Sequence, residues 1–260
     1  FQGISADIDA NIWIDMEKKF NGRIIDIKTG KDKTNKDSKE KKTFNYDAFS
    51  TIGSDEVGTG DYFGPIVVAA TFVDKVNVEF LHDLKVTDSK KITDDYIKKI
   101  APVIMEKIPY SVFILTNLEY NKLDHEKINM NKIKAILHNK VLLNLVEKNY
   151  PYERIIVDQF TPPKNYYGYL SDVNKKVTNI TFTPRAEEQC LSVACASIIS
   201  RYIFLREMYK ISRELGMDIP KGAGTNVDLF ATQVVNEKGM EILNKYAKLN
   251  FKNTDKIKSN

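Results

Sequence analysis

The stretch GSDEVGTGDYFGP, residues 53–65, contains the features that decide how this chain folds. It joins two segments rich in branched apolar residues, 48–55 and 65–73, which are typical of buried β-strands. The glycines between them predict a tight turn, because glycine adopts backbone angles that other residues avoid. The sequence therefore predicts two consecutive strands joined by a glycine-rich loop, with acidic side chains where the first strand ends.

Two adjacent acids, Asp55 and Glu56, stand where the first strand meets the loop. Neighbouring residues on a regular strand point to opposite faces, so the two share one site only if the strand ends there and Glu56 turns with the loop. Gly58, Gly60 and Gly64 favour such a turn and let backbone N–H groups approach a phosphate oxygen. The combination indicates a divalent cation held by carboxylates beside a nucleic-acid backbone.

A metal site is not the only interpretation of this loop. Dinucleotide-binding turns space their glycines G-x-G-x-x-G, whereas this loop reads G-x-G-x-x-x-G, and the lysine of a phosphate-binding P-loop is missing. A polar hairpin whose acids are simply solvated fits the spacing as well as a metal site does. Spacing alone leaves these last two interpretations open.

Strand-like and helix-like segments alternate through the rest of the chain. Thr93 begins a predicted helix over 93–108, and an apolar stripe that starts at Met130 predicts a longer helix. Another helix is expected from Ala186 onward, after Pro184. Further strands are predicted at 110–116, 154–158 and 177–183, and one or two amphipathic helices from Thr225 to the end. This alternation predicts a single α/β domain with a mixed sheet.

Composition limits the class of protein. The chain has 260 residues, 42% of them hydrophobic, which suffices for one large domain with its own core. No apolar run approaches the roughly 18 residues needed to cross a bilayer, which predicts a cytoplasmic protein. Cys190 and Cys195 are expected to be buried core residues, and His82, His125 and His138 lack ligand spacing, so we assign these histidines no catalytic role.

The positive charge of the chain is concentrated in one segment. Residues 28–42, KTGKDKTNKDSKEKK, contain seven lysines against three acids, which accounts for the whole formal net charge of +4. The segment has almost no apolar residues and is predicted to be a solvated linker that could help hold a polyanion. The remainder is close to neutral, so bulk charge does not by itself indicate a nucleic-acid partner.

Residues 53–70, GSDEVGTGDYFGPIVVAA, resemble the first motif of type 2 ribonucleases H, in which an Asp-Glu pair precedes a glycine triad and a Gly-Pro strand. Bacterial HII enzymes usually carry arginine in the middle of that triad, and Thr59 in its place resembles the HIII branch. Four more segments are similar, in the family's order: VTDSKKIT (86–93), IIVDQF (155–160), AEEQCLSVACASIISRY (186–202) and IPKGAGTNVD (219–228). The resemblance implies a ribonuclease H-like α/β fold, with a mixed five-stranded sheet flanked by helices and followed by C-terminal helices.

The resemblance also implies a site of four carboxylates. Asp55 and Glu56 match the family's first two acids, and Asp158 matches the third, although on its own it fits a turn or capping residue. Glu187 matches the fourth, where many relatives have aspartate, and Glu188 takes this place if the alignment shifts by one residue. These acids are expected to hold Mg²⁺ or Mn²⁺, with Asp55 bridging two ions.

The implied activity is hydrolysis of the RNA strand of RNA/DNA hybrids by two-metal-ion catalysis, giving 5′-phosphate and 3′-hydroxyl ends. HIII enzymes lack the tyrosine that HII enzymes use at a lone ribonucleotide, so cleavage is expected within runs of ribonucleotides and only poorly at a single one. Taken alone, any one lysine fits a solvated surface better than a phosphate contact, so the substrate-binding lysines rank below the acids. The expected substrate-binding residues are Gly58, Thr59, Gly60, Ser89, Lys90, Lys91, Arg185 and Lys221.

The resemblance also suggests how the chain is divided. Residues 1–27 are expected to be a remnant of an N-terminal substrate-binding domain, 28–45 a basic linker and 46–260 the catalytic domain. We expect a monomer whose partner is a hybrid duplex and which does not bind a membrane. The alternatives are a non-catalytic nucleic-acid-binding module, or another nuclease of the same fold such as a junction resolvase.

Overall fold

A computed structural model of the chain describes residues 44–258. The expected N-terminal remnant, 1–27, and most of the expected linker, 28–45, lie outside the described residues. The described part contains one mixed sheet of five strands in the order β3-β2-β1-β4-β5, as the sequence predicts. The strands are β1 Thr51–Val57, β2 Ile66–Val73, β3 Tyr110–Leu115, β4 Arg154–Asp158 and β5 Ile180–Thr183.

The sheet is antiparallel on one side of β1 and parallel on the other. β1 and β2 form a hairpin across the glycine-rich loop, and β3 pairs antiparallel with β2. β4 runs parallel to β1, with Ser54 opposite Val157, and β5 runs parallel to β4. Because the carboxyl ends of parallel strands meet at one edge, the residues that follow Ser54 and Val157 reach the same edge of the sheet.

Helices cover both faces of this sheet. The helices are α1 Val78–Asp83, α2 Asp94–Lys107, α3 Asn117–Tyr120, α4 Met130–Val146, α5 Pro163–Tyr169, α6 Leu191–Leu215, α7 Thr225–Lys238, α8 Ile242–Tyr246 and α9 Lys252–Lys258. The apolar stripe of α4 packs on one face, and α2 with the first half of α6 packs on the other. None of the helices within residues 44–258 has both the length and the apolar character that crossing a membrane requires.

Two helix predictions need correction. The helix expected from Ala186 begins only at Leu191, and a separate 3₁₀ turn, Ala186–Glu188, precedes it. Arg185 adopts a left-handed backbone with a φ of 52°, which ends the preceding extended segment and redirects the chain before the helix. The region from Thr225 onward contains three helices instead of one or two.

The central strand and the start of α6 are in direct contact. A Cβ atom on Gly53 would lie 2.5 Å from Ser192 Oγ and 2.6 Å from the Val193 backbone nitrogen, closer than real Cβ atoms come. Glycine is therefore required on β1 at this point, since any side chain would push α6 away from the sheet. This close approach brings the 3₁₀ turn before α6 next to the end of β1.

Candidate active site

Asp55 and Asp158 lie side by side at the carboxyl edge of the sheet. Each follows directly after the paired residues Ser54 and Val157 on two parallel strands, so both side chains point to the face that α6 covers. The Oδ1 atom of Asp158 accepts a hydrogen bond of 3.3 Å from the backbone nitrogen of Ala186, in the 3₁₀ turn. Two acids that stand more than a hundred residues apart in the sequence are thereby held against the turn that carries Glu187.

Asp55 lies in a negatively charged environment. Burial, then the charge of Glu56 and that of Glu187, raise the pKa of Asp55 to about 8, while hydrogen bonds from Ser197 and from the Glu56 backbone oppose the rise. The Glu56 nitrogen is 2.8 Å from Asp55 Oδ1, and the Ser197 hydroxyl also contacts that of Ser89 at 2.7 Å. The raised pKa shows that this pocket disfavours a further negative charge unless a cation neutralises it.

Glu187 and Glu188 occupy different environments, although they are adjacent. Glu187 is only 7% exposed; one carboxylate oxygen lies 3.4 Å from Lys90 Nζ, and the other, Oε2, is buried without a hydrogen-bond partner among the described residues. Glu188 is more exposed and pairs with Lys91 at 3.3 Å and Arg185 at 3.6 Å. A buried carboxylate oxygen without a donor is costly, so the surroundings of Glu187 favour a cation more than those of Glu188 do.

Glu56 faces the opposite side of the sheet. β1 continues to Val57, so the expectation that the strand ends at the acid pair and that Glu56 turns with the loop is wrong. Its Oε1 lies 2.5 Å from Lys134 Nζ, and its Oε2 accepts a 2.8 Å hydrogen bond from His138 Nε2. Although burial raises the pKa of Glu56, the hydrogen bond and charge of His138 and the charge of Lys134 lower it to about 2.

Sequence reasoning missed Lys134 and His138 as residues of this site. His138 is fully buried, and its Nδ1 lies 2.7 Å from the Ser54 hydroxyl. The available signal was the four-residue spacing of the two side chains, which places both on one face of a helix. The spacing becomes informative only once it is known which face of β1 packs against α4.

The glycine-rich loop is shaped by its own backbone. Gly58 has a φ of 91°, and a Cβ there would lie 2.2 Å from the Pro65 carbonyl oxygen, whereas a Cβ on Gly60 would meet no atom of the described residues within 4 Å. Thr59 stands between them, partly exposed. The Gly222 nitrogen donates a 2.6 Å hydrogen bond to Asp61 Oδ1, which ties the IPKGAG segment to the loop.

The predicted phosphate-binding cations divide into two groups. Lys90, Lys91 and Arg185 lie beside the acids, because they pair with Glu187 and Glu188. The structure does not bring Lys221 into this group. Lys221 pairs with Asp94 at 2.5 Å, and Arg201 contacts the same carboxylate at 3.0 Å.

The four acids do not form a ready-made metal cage. Within residues 44–258, no group of three or more His, Cys, Asp or Glu side chains is arranged so that it could hold a metal ion. The structure gathers Asp55, Asp158 and Glu187 on one face and Glu56 on the other. The donor set nevertheless fits a hard divalent cation, because all four side chains are carboxylates and Glu187 Oε2 accepts no hydrogen bond from the described residues.

Comparisons with known proteins show the family of this chain. The sequence model of the family described as Ribonuclease HII matches residues 52–254. Ribonuclease HIII of Geobacillus kaustophilus is 43% identical over 263 residues, which cover 98% of this chain and 81% of that protein. The crystal structure of Bst-RNase HIII in complex with Mn²⁺ is 41% identical, with a TM-score of 0.81, over 100% of this chain and 82% of that chain.

A more distant structure shows the same fold. Ribonuclease H2 from Pyrococcus horikoshii OT3 is 23% identical, with a TM-score of 0.66, over 81% of this chain and 97% of that chain. The family match covers the sheet, both acid-bearing strands and α6, and identities near 40% extend over nearly the whole length. This chain therefore belongs to the type 2 ribonucleases H, in the ribonuclease HIII branch.

Proposed function

We propose that this chain is a metal-dependent endoribonuclease that hydrolyses the RNA strand of RNA/DNA hybrids and leaves 5′-phosphate and 3′-hydroxyl ends. The observation that carries this proposal is the convergence of Asp55, Asp158 and Glu187 on one face of the sheet, where Glu187 Oε2 is buried without a donor among residues 44–258. Membership of the ribonuclease HIII branch supports it. We assign the fourth acid to Glu187 and not to Glu188, because Glu188 forms ion pairs with the surface side chains of Lys91 and Arg185.

The residues proposed to hold divalent cations are Asp55, Glu56, Asp158 and Glu187. Mg²⁺ and Mn²⁺ prefer oxygen ligands. A crystal structure of the related Bst-RNase HIII is of its complex with Mn²⁺. A pair of such cations would supply an activated water and neutralise charge on the leaving oxygen. The protein contributes orientation: Ser197 and the Glu56 N–H donate to Asp55, and the Ala186 N–H donates to Asp158.

Recognition of the RNA strand is proposed to rest on the loop after β1. Gly58, Thr59 and Gly60 offer backbone groups to a 2′-hydroxyl, the group that distinguishes RNA from DNA. Because β1 and the loop are continuous, this backbone lies within a few residues of Asp55. Thr59 and the likeness to HIII relatives support cleavage within runs of ribonucleotides in preference to a lone one.

Phosphate binding is proposed for the cations next to the acids. Lys90, Lys91 and Arg185 have well-exposed side chains and can exchange their carboxylate partners for phosphates of the hybrid. Lys221 shares Asp94 with Arg201, so it is a weaker candidate for this role. Ser89 acts through the Ser197 hydroxyl, which it contacts.

Substitution of Asp55 tests the proposal directly. Asp55→Asn keeps the size of the side chain and removes its charge, so we expect hybrid cleavage to fall by roughly 10³-fold or more while the fold and hybrid binding survive. Asp172→Asn is the matched control, since Asp172 is 83% exposed on the surface. Circular dichroism verifies folding, and single-turnover cleavage of a labelled hybrid measures the effect. Undiminished cleavage by Asp55→Asn would refute the proposed site.

The substrate panel separates this function from its alternatives. Hybrid duplex, DNA duplex, a duplex with one ribonucleotide and a four-way junction are compared, each with Mg²⁺, Mn²⁺ or EDTA. Only the hybrid with a divalent cation should be cut efficiently. Preferred cutting of the junction would identify another nuclease of this fold, and binding without cutting of any substrate would identify a non-catalytic module.

A further inference from the structure

Glu56 is already neutralised within the protein. Its carboxylate contacts Lys134 through one oxygen and His138 through the other. The Glu56 side chain is 11% exposed, that of Lys134 13% and that of His138 0%. At this degree of burial an ion pair is weakly screened by solvent, so the charge of Lys134 acts strongly on its surroundings.

Lys134 is anchored from two sides. Besides its contact with Glu56, its Nζ lies 4.0 Å from the centroid of the Phe160 ring, a favourable position for a cation. Phe160 follows Asp158 by two residues along the chain. The ammonium group is thus held between Glu56, near the end of β1, and Phe160, in the segment that follows β4.

His138 fixes the other half of the Glu56 carboxylate. A carboxylate only accepts hydrogen bonds, so the 2.8 Å contact requires that His138 Nε2 donates to Glu56. The Ser54 hydroxyl, 2.7 Å from Nδ1, holds the ring from the other side. Lys134 and His138 are four residues apart on α4, so one helix face presents both partners to Glu56.

We propose that Lys134 is an internal counter-cation for Glu56. It is a positioning residue that holds the Glu56 side chain on the α4 side of β1. Its positive charge stabilises the metal-free protein and opposes the binding of divalent cations. The inference rests on the proposed function, because it concerns the same four acids. It also accounts for the placement of Glu56 apart from Asp55, Asp158 and Glu187. Without the Lys134 charge, Glu56 keeps only its hydrogen bond to His138, and its negative charge then attracts a divalent cation more strongly.

Calorimetric titration with Mn²⁺ tests the sign of this effect. The neutral variants Lys134→Met and Lys134→Gln should bind Mn²⁺ about tenfold more tightly than the unmodified protein, whereas Lys134→Arg should bind nearly as the unmodified protein does. Lys140→Met is the matched control. Lys140 lies on the same helix with its Nζ 3.7 Å from the centroid of Phe113, and it forms no ion pair with the four acids, so its loss should leave Mn²⁺ affinity unchanged.

Thermal unfolding provides a second readout that is independent of activity. The difference between melting temperatures in Mn²⁺ and in EDTA should be larger for Lys134→Met than for the unmodified protein, because the cation then replaces the lost counter-charge. If Lys134→Met does not fold in EDTA, Mn²⁺ should restore its fold, and Lys134→Gln, which keeps a hydrogen-bond donor, supplies the affinity measurement.

The outcomes separate this inference from the proposed function. Equal or weaker Mn²⁺ binding by both folded neutral variants would overturn the role of Lys134. An unmodified protein that binds Mn²⁺ but leaves hybrids intact would refute the nuclease function, while the ordering of affinities among the variants would still decide the role of Lys134. An unmodified protein that binds no Mn²⁺ would overturn both.

Discussion

At the scale of single residues, Asp55 and Glu56 show how one peptide bond can separate two electrostatic environments. The pKa of Asp55 is raised to about 8 by burial and neighbouring acids, whereas that of Glu56 is lowered to about 2 against the effect of burial. The alternation of a strand is the cause, since it points one acid to α6 and the other to Lys134 and His138 on α4. The family motif predicts which residues are the acids, but it does not specify the side chains that surround each of them in the folded protein.

Gly58 and Gly60 give a paired prediction at the same scale. Gly58→Ala introduces a side chain at a φ of 91° and against the Pro65 carbonyl, so we expect a loss of about 1–3 kcal/mol in unfolding free energy and weaker hybrid binding. Gly60→Ala is the control, because a Cβ there meets nothing within 4 Å. Urea denaturation and hybrid titration measure both effects. Equal losses for the two variants would contradict the argument.

At the scale of elements, the C-terminal segment holds the glycine-rich loop in place. The fully buried Lys248 donates to the carbonyl oxygens of Asp61 at 2.7 Å and Gly64 at 2.6 Å. Its backbone nitrogen donates to the Tyr62 carbonyl at 2.9 Å, and the Gly64 nitrogen donates to the Tyr246 carbonyl at 2.9 Å. The loop after β1 therefore depends on residues that lie nearly 190 positions later in the chain.

This contact predicts a pH-dependent stability. Burial lowers the pKa of Lys248 to about 7, whereas the unfolded side chain titrates near 10.5. Between these two pH values the Lys248 side chain is protonated in the unfolded chain and neutral in the folded protein. Its contribution to the unfolding free energy therefore rises with pH, by at most about 1.4 kcal/mol per pH unit. Below pH 7 both states are protonated and the slope disappears.

Urea denaturation at several pH values between 6 and 9.5 checks this expectation. Lys248→Met should lose the rise above pH 7, whereas Lys252→Met, which removes an exposed lysine from the neighbouring helix, should keep it. If the unfolding free energy of Lys248→Met still rises with pH above 7, a different titrating group causes the rise. Each variant lacks one lysine, so the two have the same net charge when unfolded.

At the scale of the whole molecule, the acids and the basic segment are separate parts of the chain. Thr43–Asn260 forms one compact unit, and the family match, 52–254, lies inside it. The lysine-rich stretch 28–42 lies outside it and carries the net charge of the chain. Chemistry and long-range attraction to a polyanion are therefore expected to be separable by truncation.

A truncated protein, 43–260, tests this division. We expect kcat on a hybrid to stay within about twofold of the full chain, while affinity falls and its salt dependence becomes shallower, because fewer phosphate contacts release counterions. A full-length variant with the seven lysines of 28–42 replaced by glutamine is the control and should lose the same part of the affinity. Unchanged affinity and salt slope in both proteins would show that the segment does not contact the hybrid.

The sequence by itself determined the α/β class and predicted the five strands and the helices α2 and α4, because periodicity, glycines and caps act over a few residues. It did not predict the short helices α1, α3 and α5. Thr93, for example, caps α2 as predicted, accepting a 3.2 Å hydrogen bond from the Tyr96 nitrogen. The five motifs likewise determined the family. Local patterns did not determine the start of α6, because the left-handed backbone at Arg185 separates the turn that carries Glu187 from the helix.

Only the tertiary structure decided which acids face one another. The pairing of β1 with β4 aligns Asp55 with Asp158, the contact at Gly53 brings Glu187 to them, and the packing of α4 gives Glu56 its own cation. Each of these depends on contacts between residues far apart in the chain. The physical reason is that charge–charge energies and burial depend on distances in the folded molecule, which residue order alone does not specify.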